Sequence, residues 1–420
     1  MSLRSSDRAG SHRQFLIAGP IAELLAWRPM RTGETWIADE LAARRSSGLE
    51  RTLIVRSGTG PRVTVGGRLL LNVSGNDYLG LAQHPHVVAR AKACLDEFGA
   101  CATASRLVVG TLACHEELEA RLAGLKGYPA ALSFGSGYAA NLGLISAIVG
   151  RDDRVLIDRL AHASLVDGAV LSRARLQRFR HNDAGHLASL LARCPAGRRK
   201  LVVTESVFSM DGDCAPLREL AAAAERHGAL LLVDEAHATG VFGPSGSGCI
   251  RAAGLEDRVN LSMGTLSKAL GSQGGFAACS ADLRSLLINQ SRSFIYSTAL
   301  APAAVGAALG ALDVLERDPD RGARLLARAA GVRERLNAAG LDTGASVSQI
   351  VPVIVGESER ALRVAQYLRE AGFLAVAIRP PTVPQGTARL RLSLSYDHTE
   401  AELAALTAAV IAAFKEAERA

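Results

Sequence analysis

From about residue 75 onward, helix-period apolar patterns alternate with short aliphatic runs that end in turn residues, the rhythm of βαβ units around a mostly parallel sheet. "RVLID" (154–158) and "KLVVTESVF" (200–208) are aliphatic enough for strands buried on both faces. "APLRELAAAAERHG" (215–228) spaces its leucines and alanines as one face of an amphipathic helix and closes on a glycine. "ALLLVDEA" (229–236) and "RVNLSMGT" (258–265) predict two more strands. Beyond about residue 310, "ARLLARAAGVRERLNAAG" and "ERALRVAQYLREAG" read as helices alternating with the strand runs "SQIVPVIVG" and "ARLRLSLS". The pattern predicts an α/β chain in three parts: an arm and small-domain segment (1–74), a large domain (75–310) and an α+β domain (311–420). No internal repeat or low-complexity linker interrupts it.

Composition narrows the classes. The 420 residues, 48% apolar and 21% charged, suffice for two packed domains. No run of roughly 18 apolar residues suggests a membrane span. The net charge of +7 comes from arginines spread along the chain without a nucleic-acid motif, so the basic surface suits an anionic small molecule such as a coenzyme A ester. Seven cysteines, an odd number with no C-x-x-C pair, argue against a disulfide framework and a zinc site and for a reduced cytoplasm, with no metal expected. The first 31 residues hold five arginines and "FLIAGPIAELLAW"; Pro20 and Glu23 break that run, so it reads as a surface arm rather than a targeting peptide.

Charge also isolates one residue. Among 48 basic residues only Lys92, Lys126, Lys200, Lys268 and Lys415 are lysine. Lys92, Lys126 and Lys415 read as charges in helix or turn segments, and Lys200 closes the cluster "GRRK". Lys268, in "GTLSKALGSQGG", instead follows an apolar run and precedes glycines that permit close approach to the backbone. An amine there can lose its proton and attack a carbonyl; a guanidinium cannot.

Other candidates gather around strand ends. "VDEAHATG" puts Asp234 and His237 at the carboxyl end of a buried strand, where the carboxylate either caps the next turn or faces a cationic ring nitrogen. "ALSFGSGYAANLGLISAI" (131–148) runs from an apolar stretch through Gly-Ser-Gly into a helix, an arrangement that aims N–H groups at a phosphate. Gly135, Gly137 and Ala140 also satisfy the relaxed dinucleotide fingerprint, so a nicotinamide oxidoreductase and a plain tight turn stand beside that reading. His162 follows "RVLID" as a loop cap or a site residue, and Ser209 lies in "VFSMDGD" just past a strand. A phosphate cradle, a buried aspartate, a histidine and a lysine 34 residues beyond the aspartate together make the inventory for pyridoxal phosphate.

The order and wording of "SGNDYLGLAQHP", "SRLVVGTLACHEELEARLA", "DRLAHASL", "VVTESVFSMDGD", "VDEAHATGV", "TLSKALG", "IYSTAL" and "IRPPTVPQGTARLRLSLS" resemble the α-oxoamine synthases, pyridoxal-phosphate enzymes of fold type I, over residues 39–415. "RPPTVP" is similar to the biotin-pathway branch. The resemblance implies a mostly parallel sheet in a large domain, a smaller α+β C-terminal domain, and a homodimer with shared sites. It implies that Lys268 binds the aldehyde of pyridoxal 5'-phosphate, Asp234 pairs with the ring nitrogen, and His237 bonds the phenolic oxygen with Ser209 near the same edge. By the same resemblance, His162 stacks on the ring, Gly137, Tyr138 and Thr265 serve the phosphate, and Ser297 and Thr298 reach the neighbouring subunit's phosphate. Arg391 matches the arginine for the amino-acid carboxylate, and Arg51, Asn76, His162 and Thr382 match substrate-side positions. The implied reaction condenses L-alanine with a pimeloyl thioester, of coenzyme A or acyl carrier protein, with loss of carbon dioxide; the glycine acyltransferase and aminolevulinate branches are the alternatives. Two departures stand out: Ala102 and Ala104 replace family glycines, and the first 35 residues exceed the usual family start.

Overall fold

The computed structural model describes residues 33–47, 49–51 and 53–419, which form two units meeting between Val55 and Arg56. In the first unit the helix Thr35–Ser46 buries no side chain. The arginine-rich stretch before it lies outside the described residues. The sheets and helices below all belong to the second unit.

Three short strands come first, β1 (Arg56–Ser57), β2 (Arg62–Val65) and β3 (Arg68–Asn72). The central sheet is built from β4 (Ala130–Phe134), β5 (Arg154–Asp158), β6 (Arg175–Phe179), β7 (Lys200–Glu205), β8 (Leu230–Asp234), β9 (Leu261–Thr265) and β10 (Gly275–Cys279), in the order β4-β10-β9-β8-β7-β5-β6. Only β10 is reversed within this sheet; it pairs antiparallel with both β4 and β9. Period-two alternation sends Val155, Ile157, Leu201, Val203 and Leu232 to one face and Leu156, Val202, Leu231 and Val233 to the other. The helices Gly137–Ile148 and Ala163–Ser172 cover the first face, and Ala184–Leu191 and Leu217–Arg226 the second. Burial on both sides is why these runs read as unbroken aliphatics, each worth about 1.5–3 kcal/mol when fully enclosed.

Observed ends are tighter than the patterns predict. β7 stops at Glu205 because Val207 pairs back on Cys214 and closes a loop. β9 starts at Leu261 because the N–H groups of Arg258 and Val259 turn back to the Leu255 carbonyl. The C-terminal alternation is present as β11 (Ile350–Gly356), β12 (Phe373–Leu374), β13 (Ala377–Ile378) and β14 (Ala388–Ser393), with the helices Arg321–Ala338, Ser358–Glu370 and Glu400–Arg419. β11, β14 and β13 form an antiparallel sheet, while β12 pairs parallel with β3, so residues 56–72 share a sheet with the C-terminal region. Among the described residues, no helix is long and apolar enough to cross a membrane.

Two polar clusters fix the loops at the sheet's carboxyl edge. Lys126 is not the peripheral helix-end charge the sequence suggests. It is 1% exposed, and its Nζ donates to Glu235 Oε2 at 2.6 Å, Thr239 Oγ1 at 3.0 Å and the Ser247 carbonyl at 2.8 Å. Glu235 also accepts from Ser262 Oγ and the Ile250 N–H, each at 3.0 Å, which pins the turn after β8. The second cluster centres on His181, whose Nδ1 lies 3.0 Å from Asp158 Oδ1 and whose Nε2 lies 2.8 Å from Asp213 Oδ2. Burial disfavours the imidazolium, but the hydrogen bonds and charges of the two carboxylates outweigh it and raise the pKa to about 9. Arg389 holds the far side of the same 207–213 loop through Asp211 and the Met210 carbonyl.

Lys126→Met should cost about 3–5 kcal/mol in denaturant unfolding, because it strands a buried carboxylate, and adding Glu235→Gln should recover much of the loss. A single-variant cost below about 1 kcal/mol would show that the pair does not hold the turn. His181 has a folded pKa of about 9, above its ordinary 6.5, so its stabilisation is complete below 6.5 and lost as pH rises through 9. Unfolding at pH 6 and pH 10 should show wild type exceeding His181→Gln by on the order of 2 kcal/mol more at the lower pH; a gap that does not change with pH contradicts this.

Candidate active site

Strands β4, β5, β7, β8 and β9 all end at one edge of the sheet, so the loops following them open side by side. Those loops carry Gly137, His162, Ser209, His237 and Lys268. Asp234 closes β8 at 4% exposure, with Oδ1 accepting the Ala236 N–H at 2.8 Å and Oδ2 accepting Asn141 Nδ2 at 2.8 Å. Of the two expectations for this carboxylate, the turn cap is present, and the second oxygen is held by the Asn141 amide. Asn141 also donates to Ser164 Oγ at 2.9 Å, and that hydroxyl lies 2.8 Å from His162 Nδ1. The His162 N–H reaches Glu205 Oε1 at 2.7 Å, and Glu205 pairs in register with Asp234 across β7 and β8. Burial pushes the Glu205 carboxyl well up, with the Asp234 charge adding to it, and burial pushes the His162 imidazole down.

Lys268 lies beyond the end of β9, with its Nζ 2.7 Å from His237 Nε2. On the other side of that ring, Nδ1 is 2.7 Å from the hydroxyl of Tyr78, a residue wholly out of contact with solvent. Tyr78 continues to Asn76 Oδ1 at 3.1 Å, and Arg391 reaches both, at 3.3 Å and 3.4 Å. Desolvation lowers the Lys268 pKa to about 8 against the pull of Asp234 and Glu205. Desolvation, joined by the Lys268 charge, holds His237 well below the ordinary range and thus neutral. Arg391, on β14, is fixed by the Ser209 carbonyl and by Ser393 Oγ at 2.7 Å. Ser209 thus meets the cluster through its backbone.

At the other end, the helix Gly137–Ile148 starts with Ser136 accepting the Ala139 N–H at 3.0 Å. The N–H groups of Gly137 and Tyr138 have no acceptor among the described residues, the arrangement in which a helix start receives an anion. A Cβ at position 275 would lie 2.6 Å from the Ser136 carbonyl and 2.7 Å from Gly137, so that position needs glycine for the turn to approach β10, while one at 137 would press on the end of the Met263 side chain at 3.0 Å. The Thr265 hydroxyl donates to the Gly274 carbonyl at 2.8 Å. Two free helix-start N–H groups, a buried carboxylate, an imidazole and an amine with a lowered pKa are the donors and acceptors a phosphorylated, aldehyde-bearing pyridine requires, so the residues present fit pyridoxal phosphate.

Other expected residues lie outside this hydrogen-bonded cluster, although Ser297 and Thr298 line a small pocket with Gly135, just before the Gly137 turn. Ser297 and Thr298 are exposed beyond the helix Arg292–Ile295, with Thr298 bridged to Ser105. Thr382 is exposed in a turn, and its side chain makes no hydrogen bond among the described residues. Arg51 is exposed within the first unit. Between Ala102 and Ala104, Thr103 takes a left-handed φ of 62°. Tyr78, Asn141, Ser164 and Glu205 were not singled out by sequence reasoning. Tyr78 lies within the quoted "SGNDYLGL", and Asn141 one helical turn after Gly137; those positions were the available signals.

The family model described as aminotransferase class I and II matches residues 69–410. Over 378 residues the chain is 53% identical to an 8-amino-7-oxononanoate synthase of Anaeromyxobacter dehalogenans, covering 90% of this chain and 95% of the relative. A synthase of the same name from Geobacter sulfurreducens is 49% identical, covering 90% and 98%. Among solved structures, a serine palmitoyltransferase of Sphingomonas wittichii superposes with a TM-score of 0.87 at 33% identity, covering 93% of this chain and all of that one. The 8-amino-7-oxononanoate synthase of Francisella tularensis gives 0.72 at 28% identity, covering 83% and 98%. The fold is therefore the fold type I of pyridoxal-phosphate-dependent transferases, and the chain belongs to the class I and II aminotransferase family, within its α-oxoamine synthase branch.

Proposed function

We propose that this chain condenses L-alanine with a pimeloyl thioester to give 8-amino-7-oxononanoate, carbon dioxide and free thiol, with pyridoxal phosphate held at Lys268. The observation that carries the reading is Lys268 Nζ, an amine with a pKa near 8, hydrogen-bonded to a buried neutral imidazole beside Asp234. The 53% identity to a synthase of that name supports the choice of substrates over those of sister branches. The bound group supplies an electron sink for the α-carbon of the amino acid. With that group bound, Asp234 would hold the proton of the ring nitrogen, the N–H groups of Gly137 and Tyr138 would bind the phosphate, and His162 would pack against the ring. Lys268 Nζ, about a tenth free base at pH 7 against far less for an ordinary lysine, takes the α-proton and later returns one. Arg391, braced by Ser209 and Ser393, exchanges its long 3.4 Å contacts with Asn76 for the alanine carboxylate.

A second copy of the chain is the proposed partner. Leu107, Val108 and Val109 are 52–73% exposed beside Ser105, whose bridge holds Thr298, and Tyr296 is 72% exposed. Apolar side chains grouped in this way suit a self-complementary interface that brings Ser297 and Thr298 to the neighbouring phosphate. The division into an arm, a large domain and a C-terminal domain, and a cytoplasmic location consistent with seven free cysteines, belong to the same reading.

Alanine with pimeloyl thioester should yield a product of the expected mass, whereas glycine with succinyl thioester and serine with palmitoyl thioester should not; the opposite result reassigns the branch. Lys268→Arg should lower turnover by at least about 10⁴-fold, and substantial retained activity would refute the amine's role. Apoprotein should take up pyridoxal phosphate at a rate that climbs with pH through an inflection near 8, followed by absorbance; an inflection at the ordinary lysine value of 10.5 would contradict the lowered pKa.

A further inference from the structure

Beside Ser267 and Asn76 opens a cavity of about 280 Å³ that also takes in Arg56 of β1, Asn72 of β3 and Asp77. Asn76 is linked to the reacting amine through Tyr78 and His237, so the chemistry lies near that wall. The polar lining is one-sided. Asn72 Oδ1 accepts the Ser74 N–H at 3.2 Å, and Asn76 Oδ1 accepts from the Arg391 guanidinium at 3.4 Å. Because those partners can only donate, both amide orientations are fixed, and each Nδ2 is left without a protein acceptor. Asp77, the one acid in the lining, has its two oxygens occupied by the N–H groups of Leu81 at 2.9 Å and Ala82 at 3.2 Å. Burial, with the Asp397 charge adding to it, raises the Asp77 carboxyl to about 6; at neutral pH it keeps its charge, which those two N–H groups hold. Arg56 pairs with no carboxylate among the described residues. A cavity offering spare donors and no strong free acceptor selects an anion.

We infer that Arg56, Asn72 and Asn76 form a subsite for the carboxylate at the far end of a dicarboxylic acyl thioester, with Arg56 as the charge that distinguishes it from a monocarboxylic chain of equal length. The inference rests on the alanine-condensing reading and adds to it a basis for choosing the acyl group. Coenzyme phosphates share the anion chemistry and are the competing source of the ligand.

The test uses holoenzyme and Arg56→Leu with three acyl donors: pimeloyl-coenzyme A, heptanoyl-coenzyme A and the pimeloyl thioester of N-acetylcysteamine, which carries no phosphate. KM for both pimeloyl donors should rise by about tenfold or more in the variant, with KM for heptanoyl-coenzyme A and for alanine unchanged and Arg56→Lys recovering part of the loss. A rise for both coenzyme A donors but not for the N-acetylcysteamine thioester would assign Arg56 to phosphate and overturn the inference, as would no change with any donor. Calorimetry with free pimelate and heptanoate separates failure of the subsite from failure of the proposed reaction. If the wild-type enzyme condenses none of the donors, pimelate binding more tightly than heptanoate in wild type and equally in Arg56→Leu still supports the subsite. Equal binding of the two acids by wild type overturns it.

Discussion

The contact between Lys268 Nζ and His237 Nε2 sets the direction of every proton along the site's inner wall. An ammonium can only donate, and at the opposite end Asn76 Oδ1 can only accept. The hydrogen bonds between them therefore run one way: Lys268 donates to Nε2, Nδ1–H to the Tyr78 oxygen, and the Tyr78 hydroxyl to Asn76. Arg391 adds a further donor to Tyr78. That order requires a neutral imidazole, which burial and the lysine's own charge enforce. Loss of a proton from Lys268 leaves the sequence of donors intact, since a neutral amine still donates.

Around this wall the charges are distributed by depth. The Glu235 carboxylate is matched by Lys126, whereas its sequence neighbour Asp234 is met only by neutral donors, Asn141 and a backbone N–H. A direct hydrogen bond from a cation is thus given to Glu235, whereas Asp234 feels the Lys268 charge without a hydrogen bond to it. Two adjacent carboxylates on one strand end serve opposite purposes because the strand's alternation sends them into different surroundings.

What the sequence made legible was local. Aliphatic runs predicted the parallel strands, with β5 matching residue for residue, and the turn chemistry after them located Asp234, His237, His162 and Lys268 at one edge. Hidden from that reading were partners far apart in the chain. Lys126 looks like an ordinary helix end in "GLKGYP", and its burial depends on a glutamate 109 residues away. The reversed strand β10, "GFAAC", has no β-branched residue to announce it, and its opening Gly275 is explained only by the close approach of the Gly137 turn. Tyr78 and Glu205 carry no spacing signal of their own; each matters through groups brought to it by strand order.

The reversal of β10 bears on how the catalytic loop ages under heat. Thr265 and Gly275 are directly paired, so residues 266–274 leave and rejoin the sheet at a single rung of its ladder. The entropy of closing that segment is settled when the rung forms, and the amine inherits the rigidity of the sheet interior. Warming that leaves this rung paired therefore leaves both ends of the Lys268 segment anchored to the sheet.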